Sequence, residues 1–97
     1  MYRYLTVDGM ISGTGIRDQY EGKYIDPKLL DISAELVGKL NNWHERYKQE
    51  FYNNYADKIK VQQLDKEGIE ISKDVSNELE NCKVSYFSDA DLRTQNI

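Results

Sequence analysis

Residues 33–52, SAELVGKLNNWHERYKQEFY, carry the pattern that decides the fold of this chain. Large apolar and aromatic residues recur there at intervals of three and four, which places them on one face of an α-helix. They are Leu36, Leu40, Trp43, Tyr47 and Phe51. Ser33 is a suitable N-cap, and the side chains of Asn53 and Asn54 compete with the backbone for hydrogen bonds. The sequence therefore predicts a helix that begins after Ser33 and ends near Asn53.

A second helical pattern spans residues 57–80, and its apolar face is Val61, Leu64, Gly68, Ile71, Val75 and Leu79. Gly68 lies within this face, although glycine costs a helix interior roughly 1 kcal/mol relative to alanine. We therefore expect a neighbouring element to approach the helix closely at Gly68. The two helices follow each other directly, which predicts an αα-hairpin.

Two strand patterns flank this hairpin. Residues 2–7 alternate Leu5 and Val7 with polar and aromatic residues, and residues 83–87 form a similar run that ends at Ser88. Between the first strand and the helices, residues 8–26 contain four glycines and predict a long loop with brief strands near residues 10–12 and 23–25.

These elements predict an α+β fold in which residues 1–97 form a single domain. The first and last strands are expected to pair in a small antiparallel sheet of two to three strands, the third supplied by the loop or the tail. The αα-hairpin would pack on one face of that sheet. The expected core is Leu36, Leu40, Trp43, Tyr47, Leu64, Ile71, Val75 and Leu79, with Leu5 and Val84 on the strands.

The charge composition of the chain limits the classes of molecule that it is expected to bind. The 97 residues contain 13 Lys or Arg against 17 Asp or Glu, for a net charge of −4. An acidic chain is repelled by nucleic acid, so a basic protein is the expected partner. No secretory signal and no membrane-spanning run is recognisable, and the single cysteine, Cys82, suits a reducing compartment. We expect a cytoplasmic protein with no membrane partner.

Residues that would carry catalysis or bind a cofactor are scarce. Gly13-Thr14-Gly15-Ile16-Arg17-Asp18 begins like a phosphate-binding loop, but Asp18 replaces the third glycine and would repel phosphate. His44 lies within the apolar face of the first helix, where packing is the simpler interpretation, and Cys82 beside a strand is typical of a small buried residue. Metal-binding and nucleophile motifs are missing from the sequence. We therefore predict no catalytic residues, no enzymatic activity, no cofactor, no metal and no small-molecule substrate.

Four carboxylates lie on one flank of the second helix: Glu67, Glu70, Asp74 and Glu78. Their spacings of three, four and four residues align them beside the apolar face, and we call them the acidic strip. One interpretation is a solvated helix face. The other is a binding surface for a basic partner, and the sequence alone leaves both open.

Tyrosine is the second feature that indicates binding. Eight of the 97 residues are Tyr, and Tyr20, Tyr24, Tyr52 and Tyr55 lie outside the helical core patterns. Tyrosine offers a large, stiff contact surface with a polar tip, which suits interface centres. The glycine-rich loop, with Arg17, Asp18, Tyr20 and Tyr24, is therefore a second candidate partner-binding site.

Several stretches of the chain are similar to small bacterial immunity proteins of contact-dependent growth inhibition and polymorphic toxin systems. These stretches are residues 12–18, 22–27, the helix containing Trp43 and Tyr47, residues 64–71 and residues 86–90. The resemblance implies a cytoplasmic protein that neutralises the C-terminal domain of a cognate toxin by stoichiometric occlusion. The implied toxin is a basic nuclease, such as one acting on tRNA.

Two alternatives to toxin immunity remain. One is a small cytoplasmic adaptor or regulatory protein that binds another host protein. The other is a hydrolase that uses Arg17, Asp18 and His44.

Overall fold

Four strands and two long helices form a two-layer α+β fold in the computed structural model, which describes residues 2–97. In chain order, the elements are β1 (Tyr4–Asp8), β2 (Ile16–Asp18), a 3-10 turn (Pro27–Leu29), α1 (Ala34–Tyr52), α2 (Lys58–Glu78), β3 (Lys83–Ser88) and β4 (Arg93–Asn96).

Local capping sets the ends of both helices. The Ser33 hydroxyl accepts a hydrogen bond from the Leu36 amide at 3.2 Å, and Asp57 accepts one from the Lys60 amide at 3.1 Å. Each bond satisfies an N–H group that has no partner within the helix. The predicted starts of both helices and the end of α1 at Asn53 are confirmed. Within the described residues 2–97, no helix is long and apolar enough to cross a membrane.

The sheet is mixed rather than antiparallel. Its strand order is β2-β1-β3-β4, and the central pair, β1 with β3, is parallel, while both edge pairs are antiparallel. The prediction of a two- to three-stranded antiparallel sheet is therefore wrong in strand number and in the direction of the central pair.

The unpredicted strand β2 explains this difference in direction. An αα-hairpin alone between β1 and β3 would make these two strands antiparallel, but β2 adds one more reversal of the chain, so β3 runs in the same direction as β1. The predicted strand at residues 10–12 is a turn instead, and residues 23–25 contribute only a single bridge from Tyr24 to Arg17.

The core lies between the helices and one face of the sheet. Trp43 is fully buried, and its indole Nε1 donates a hydrogen bond to the Leu64 carbonyl of α2 at 2.8 Å. All but one of the predicted core residues are buried: Leu5, Leu36, Leu40, Trp43, Tyr47, Leu64, Ile71, Val75 and Val84. The exception, Leu79, is half-buried against the core. Phe51 continues the sequence pattern of α1 but is 41% exposed.

Gly68 is the point of closest approach between α2 and the rest of the core. A Cβ at this position would lie 2.8 Å from Cζ2 of Trp43 and closer still to the ring of Tyr86 on β3. Both distances are shorter than van der Waals contact, so only glycine fits without a shift of the aromatic rings. The predicted close approach at Gly68 is confirmed.

Neither α1 nor α2 packs on the opposite face of the sheet, although Thr6, Asp8 and Ser85 on that face are themselves buried. Strand alternation places Tyr4, Thr6 and Asp8 of β1 on that face, beside Ser85 and Phe87 of β3. The hydroxyls of Thr6 and Ser85 are hydrogen-bonded at 2.9 Å. We call this side the open sheet face.

Candidate functional site

The acidic strip forms one side of a groove between α1 and α2, which we call the helix groove. One section of the groove, about 440 Å³ in volume, lies between Gly38 and Asn42 of α1 and Glu70 and Asp74 of α2. A second section of about 250 Å³ continues past Asp74 to Glu78. The structure therefore brings all four carboxylates of the strip to one elongated depression.

Arg46 of α1 crosses this groove. Its guanidinium contacts both carboxylate oxygens of Glu67, with Nη1 donating to Oε1 at 3.0 Å, and its Nε donates to Oδ1 of Asn42 at 2.8 Å. A two-pronged contact of this kind holds the carboxylate in a fixed orientation. Glu67 is thus neutralised within the chain, a pairing across 21 residues that helical spacing alone does not predict.

Glu78 also has partners within the chain. Its carboxylate accepts hydrogen bonds from the backbone N–H of Ser33 at 2.6 Å and from the Ser33 hydroxyl at 3.0 Å. The exposed Glu70 carboxylate lies 3.5 Å from Lys73, and Asp74 makes no ion pair with any of residues 2–97. Glu70 and Asp74 are therefore the members of the strip that are most available to a partner.

Arg17 and Tyr24 converge on the open sheet face around a residue that the sequence did not single out, Asp8. The Asp8 carboxylate is buried, with Oδ2 accepting from Nε of Arg17 at 2.7 Å and Oδ1 from the Tyr24 hydroxyl at 2.7 Å. Burial, and then the hydrogen bond to Asp8, raise the pKa of Tyr24 well above its usual value. These contacts fasten the glycine-rich loop to the end of β1.

Tyr20 and Asp18 lie at the turn that follows β2. The Asp18 carboxylate accepts a hydrogen bond from the Tyr20 amide at 2.9 Å, which stabilises the turn. The Tyr20 ring is 75% exposed, and it meets the Tyr4 ring edge-on with a centroid distance of 4.9 Å. Asp18 therefore has a structural role here, and Tyr20 is an exposed aromatic residue of the loop that is available to a partner.

The glycine-rich loop is filled by its own side chains. The Tyr24 ring lies against Gly13, where any Cβ would overlap it. The Thr14 hydroxyl donates to the Ile25 carbonyl at 2.6 Å. Gly15 has φ of 99°, a left-handed conformation that favours glycine. Each of these residues has a role in shaping the loop.

A second cluster of tyrosines around a carboxylate joins both helices to β3. Oδ1 of Asp65 accepts hydrogen bonds from Tyr47 at 2.8 Å and Tyr86 at 2.5 Å, and Oδ2 accepts one from Ser88 at 2.8 Å. Burial is the main cause that raises the pKa of both tyrosines above the ordinary range. Sequence analysis missed this role of Asp65, because its polar partners come from α1 and β3, which are distant from it in the sequence.

The remaining two tyrosines outside the core patterns lie near the turn between α1 and α2. The Tyr52 ring is 68% exposed and stacks edge-on with Phe51. Tyr55 has a positive φ of 54°, and its hydroxyl donates to Asp89 at 2.6 Å. Tyr55 therefore ties this turn to the end of β3, and Tyr52 is left facing solvent.

His44 and Cys82 lie on different elements and make unrelated contacts. Nε2 of His44 is 2.8 Å from the Met10 carbonyl, so the ring packs against the glycine-rich loop. Cys82 precedes β3, and burial raises the pKa of its thiol, which disfavours the reactive thiolate. In the part of the chain that the structure describes, residues 2–97, no group of three or more His, Cys, Asp or Glu side chains is placed to hold a metal ion.

The two predicted binding sites lie on different sides of the molecule. The acidic strip faces the helix groove, and Arg17, Tyr20 and Tyr24 lie on or beside the open sheet face. The clefts lined by the strip share no residue with the cleft lined by Arg17 and Tyr24. The two candidate sites therefore line separate clefts.

A protein-family model matches most of the chain. The family model described as Serratia CdiI immunity protein-like matches residues 7–89, which run from the last two residues of β1 through β2 and both helices to the end of β3. No curated protein and no solved structure matches the chain.

Proposed function

Since the chain belongs to the Serratia CdiI immunity protein-like family, its role is immunity to a contact-dependent growth inhibition toxin, and we propose that it neutralises that toxin by direct stoichiometric binding. The family match over residues 7–89 is the observation that carries this proposal. The toxin would then stay inactive only while the immunity protein is bound to it.

The helix groove is the proposed toxin-binding surface. Glu70 and Asp74 project charge there without a strong partner within the chain. A basic toxin surface would be drawn to these carboxylates, which steers association and selects against acidic partners. The exposed ring of Tyr20 marks the open sheet face as the second candidate surface, since aromatic anchors dominate many interfaces.

The proposed toxin is a basic nuclease. A nuclease cleft attracts the phosphates of its substrate through Lys and Arg, so a negatively charged protein with a net charge of −4 suits it as an inhibitor. The carboxylates would occupy the cleft or cover a neighbouring surface on which the substrate docks. The proposed compartment is the cytoplasm, where a lone thiol such as Cys82 stays reduced.

Binding and protection test this proposal together. The purified chain would be titrated calorimetrically with a catalytically inactivated form of the toxin domain encoded beside it. Co-expression with the active domain would measure protection of growth. We expect a 1:1 complex and restored growth. Protection without any complex would contradict neutralisation by binding, and a complex without protection would favour the adaptor alternative.

A further inference from the structure

Glu50 is a buried carboxylate with an oxygen that has no hydrogen-bond partner. The residue lies in the last turns of α1 and is 8% exposed. Among residues 2–97, no group hydrogen-bonds to its Oε1, the one buried side-chain oxygen or nitrogen of which this is true. Burying a carboxylate without a partner is costly, and native proteins rarely do so without a functional reason.

The Glu50 side chain lines a cleft of about 360 Å³ between α1 and α2. Gln49 and Gln63 lie at this cleft with Leu64, and Arg46 and Glu67 separate it from the rest of the helix groove. The volume exceeds the roughly 30 Å³ that one water molecule occupies in the liquid. The cleft therefore has room for a side chain from another molecule, and it continues the proposed toxin-binding surface.

Neither cation of the chain at this cleft neutralises Glu50. The Arg46 guanidinium is committed to Glu67 and Asn42. Lys60 is exposed at the rim and makes no ion pair within the described chain, residues 2–97. Among residues 2–97, no cation therefore forms an ion pair with the Glu50 carboxylate.

We propose that the Glu50 cleft receives one basic side chain of the toxin, an inference that rests on the proposed function. Arginine suits the cleft best, because its planar guanidinium would donate to Glu50 and to the side-chain carbonyls of Gln49 and Gln63 while its face rests on Leu64. Such a buried, hydrogen-bonded charge pair slows dissociation of the complex more than it speeds association. Glu50 would then anchor the complex, and the exposed strip would guide its formation.

The test compares Glu50→Gln with Glu45→Gln in the full chain. Both variants remove one negative charge from α1, but Glu45 is exposed and pairs with Lys48 outside the cleft. Surface plasmon resonance would give association and dissociation rates for the inactivated toxin domain, and thermal unfolding would be measured for each free chain. We expect Glu50→Gln to weaken binding by a factor of about 30 or more, mainly through faster dissociation, and Glu45→Gln to change it less than about threefold.

The unfolding temperature separates an anchor from a structural residue. If Glu50 lacks a partner in the free chain, Glu50→Gln will leave that temperature unchanged or raise it while binding weakens. A lower unfolding temperature would mean that Glu50 stabilises the fold, and it would overturn the proposal. Lys60→Met provides a second check, because a loss of stability in that variant would show that Lys60 already pairs with Glu50.

The toxin measurements also separate this inference from the proposed function. Wild-type binding with unchanged rates for Glu50→Gln would overturn the anchor and leave the immunity proposal standing. A wild-type chain that fails to bind the toxin domain would overturn both. Strong coupling between Glu50→Gln and one Arg→Met replacement in the toxin would identify the side chain that enters the cleft.

Discussion

Reversing the two available charges of the acidic strip, with Glu70→Lys and Asp74→Lys together, should weaken toxin binding without unfolding the chain. Each replacement changes the charge by two, so the net charge rises from −4 to zero. Glu70 loses only an exposed contact with Lys73, and Asp74 loses no ion pair within residues 2–97. We expect the free energy of unfolding to change by less than about 1 kcal/mol.

The expected loss of affinity follows from the positions of these residues at the surface, where Glu70 is exposed and Asp74 is half-buried. An exposed ion pair contributes about 0.2 to 1 kcal/mol, and reversal replaces that attraction with a repulsion of similar size. Two reversed sites then cost about 1 to 4 kcal/mol, which raises Kd about 5-fold to about 800-fold. Most of this change should appear in the association rate, and it should shrink as salt shortens the screening length from about 10 Å at 0.1 M to about 3 Å at 1 M.

Association and dissociation rates measured at low and at high salt test this reasoning. The matched control is Glu21→Lys with Asp91→Lys, because both residues are exposed and the change in charge is identical. These two residues lie in the turns that follow β2 and β3, away from the helix groove. Equal slowing by both pairs would show a general effect of net charge. Slowing by the control pair alone would move the interface toward the open sheet face and refute the assignment of the helix groove.

The remaining predictions concern stability and chemistry. Trp43→Ala should lower the free energy of unfolding by about 3 to 5 kcal/mol, as measured by urea denaturation, because the indole is fully buried; a loss below 1 kcal/mol would contradict that packing. Tyr47 and Tyr86 have raised pKa values when folded, so the stability they contribute is fully present below pH 10 and falls above it, by about 1.4 kcal/mol per pH unit for each. Phenolate absorbance of the wild type minus that of Tyr47→Phe or Tyr86→Phe would show each of the two ionising only as the chain unfolds, and ionisation of either one near pH 10 in the folded chain would refute its burial. Replacing His44 with Gln and Cys82 with Ser together should preserve toxin neutralisation in the growth assay; a folded double variant that no longer protects would mean that one of them takes part in function.

Local patterns were sufficient to predict both helices. The side chains of Ser33 and Asp57 accept hydrogen bonds from amides three residues further along the chain. Because these contacts are local, the sequence alone indicates where each helix begins. The close approach at Gly68 was predictable for the same reason, because a glycine inside an apolar helical face needs a packing explanation. Strand direction was not predictable, because it depended on β2, whose three residues are too few to show an alternating pattern.

The candidate site was predicted only in part, since its electrostatics depend on long-range contacts. Spacing placed the acidic strip on one flank of α2, but the contact of Glu67 with Arg46 joins residues that are 21 positions apart. The sequence analysis did not single out Glu50. Its carboxylate is buried beside a cleft that residues of α2 also line, so no local pattern could have identified it.

The parallel pairing of β1 with β3 has a consequence for how quickly protection can begin. The two central strands join residues as far apart as Thr6 and Ser85, 79 positions along the chain. Contacts between distant residues carry a high entropic cost of loop closure and slow folding. During synthesis the αα-hairpin can form early, but the central pair of the sheet, β1 with β3, cannot form until β3 has left the ribosome. A cell making toxin and immunity protein together would therefore be protected only after a folding delay that follows synthesis, unless a reserve of folded immunity protein is already present.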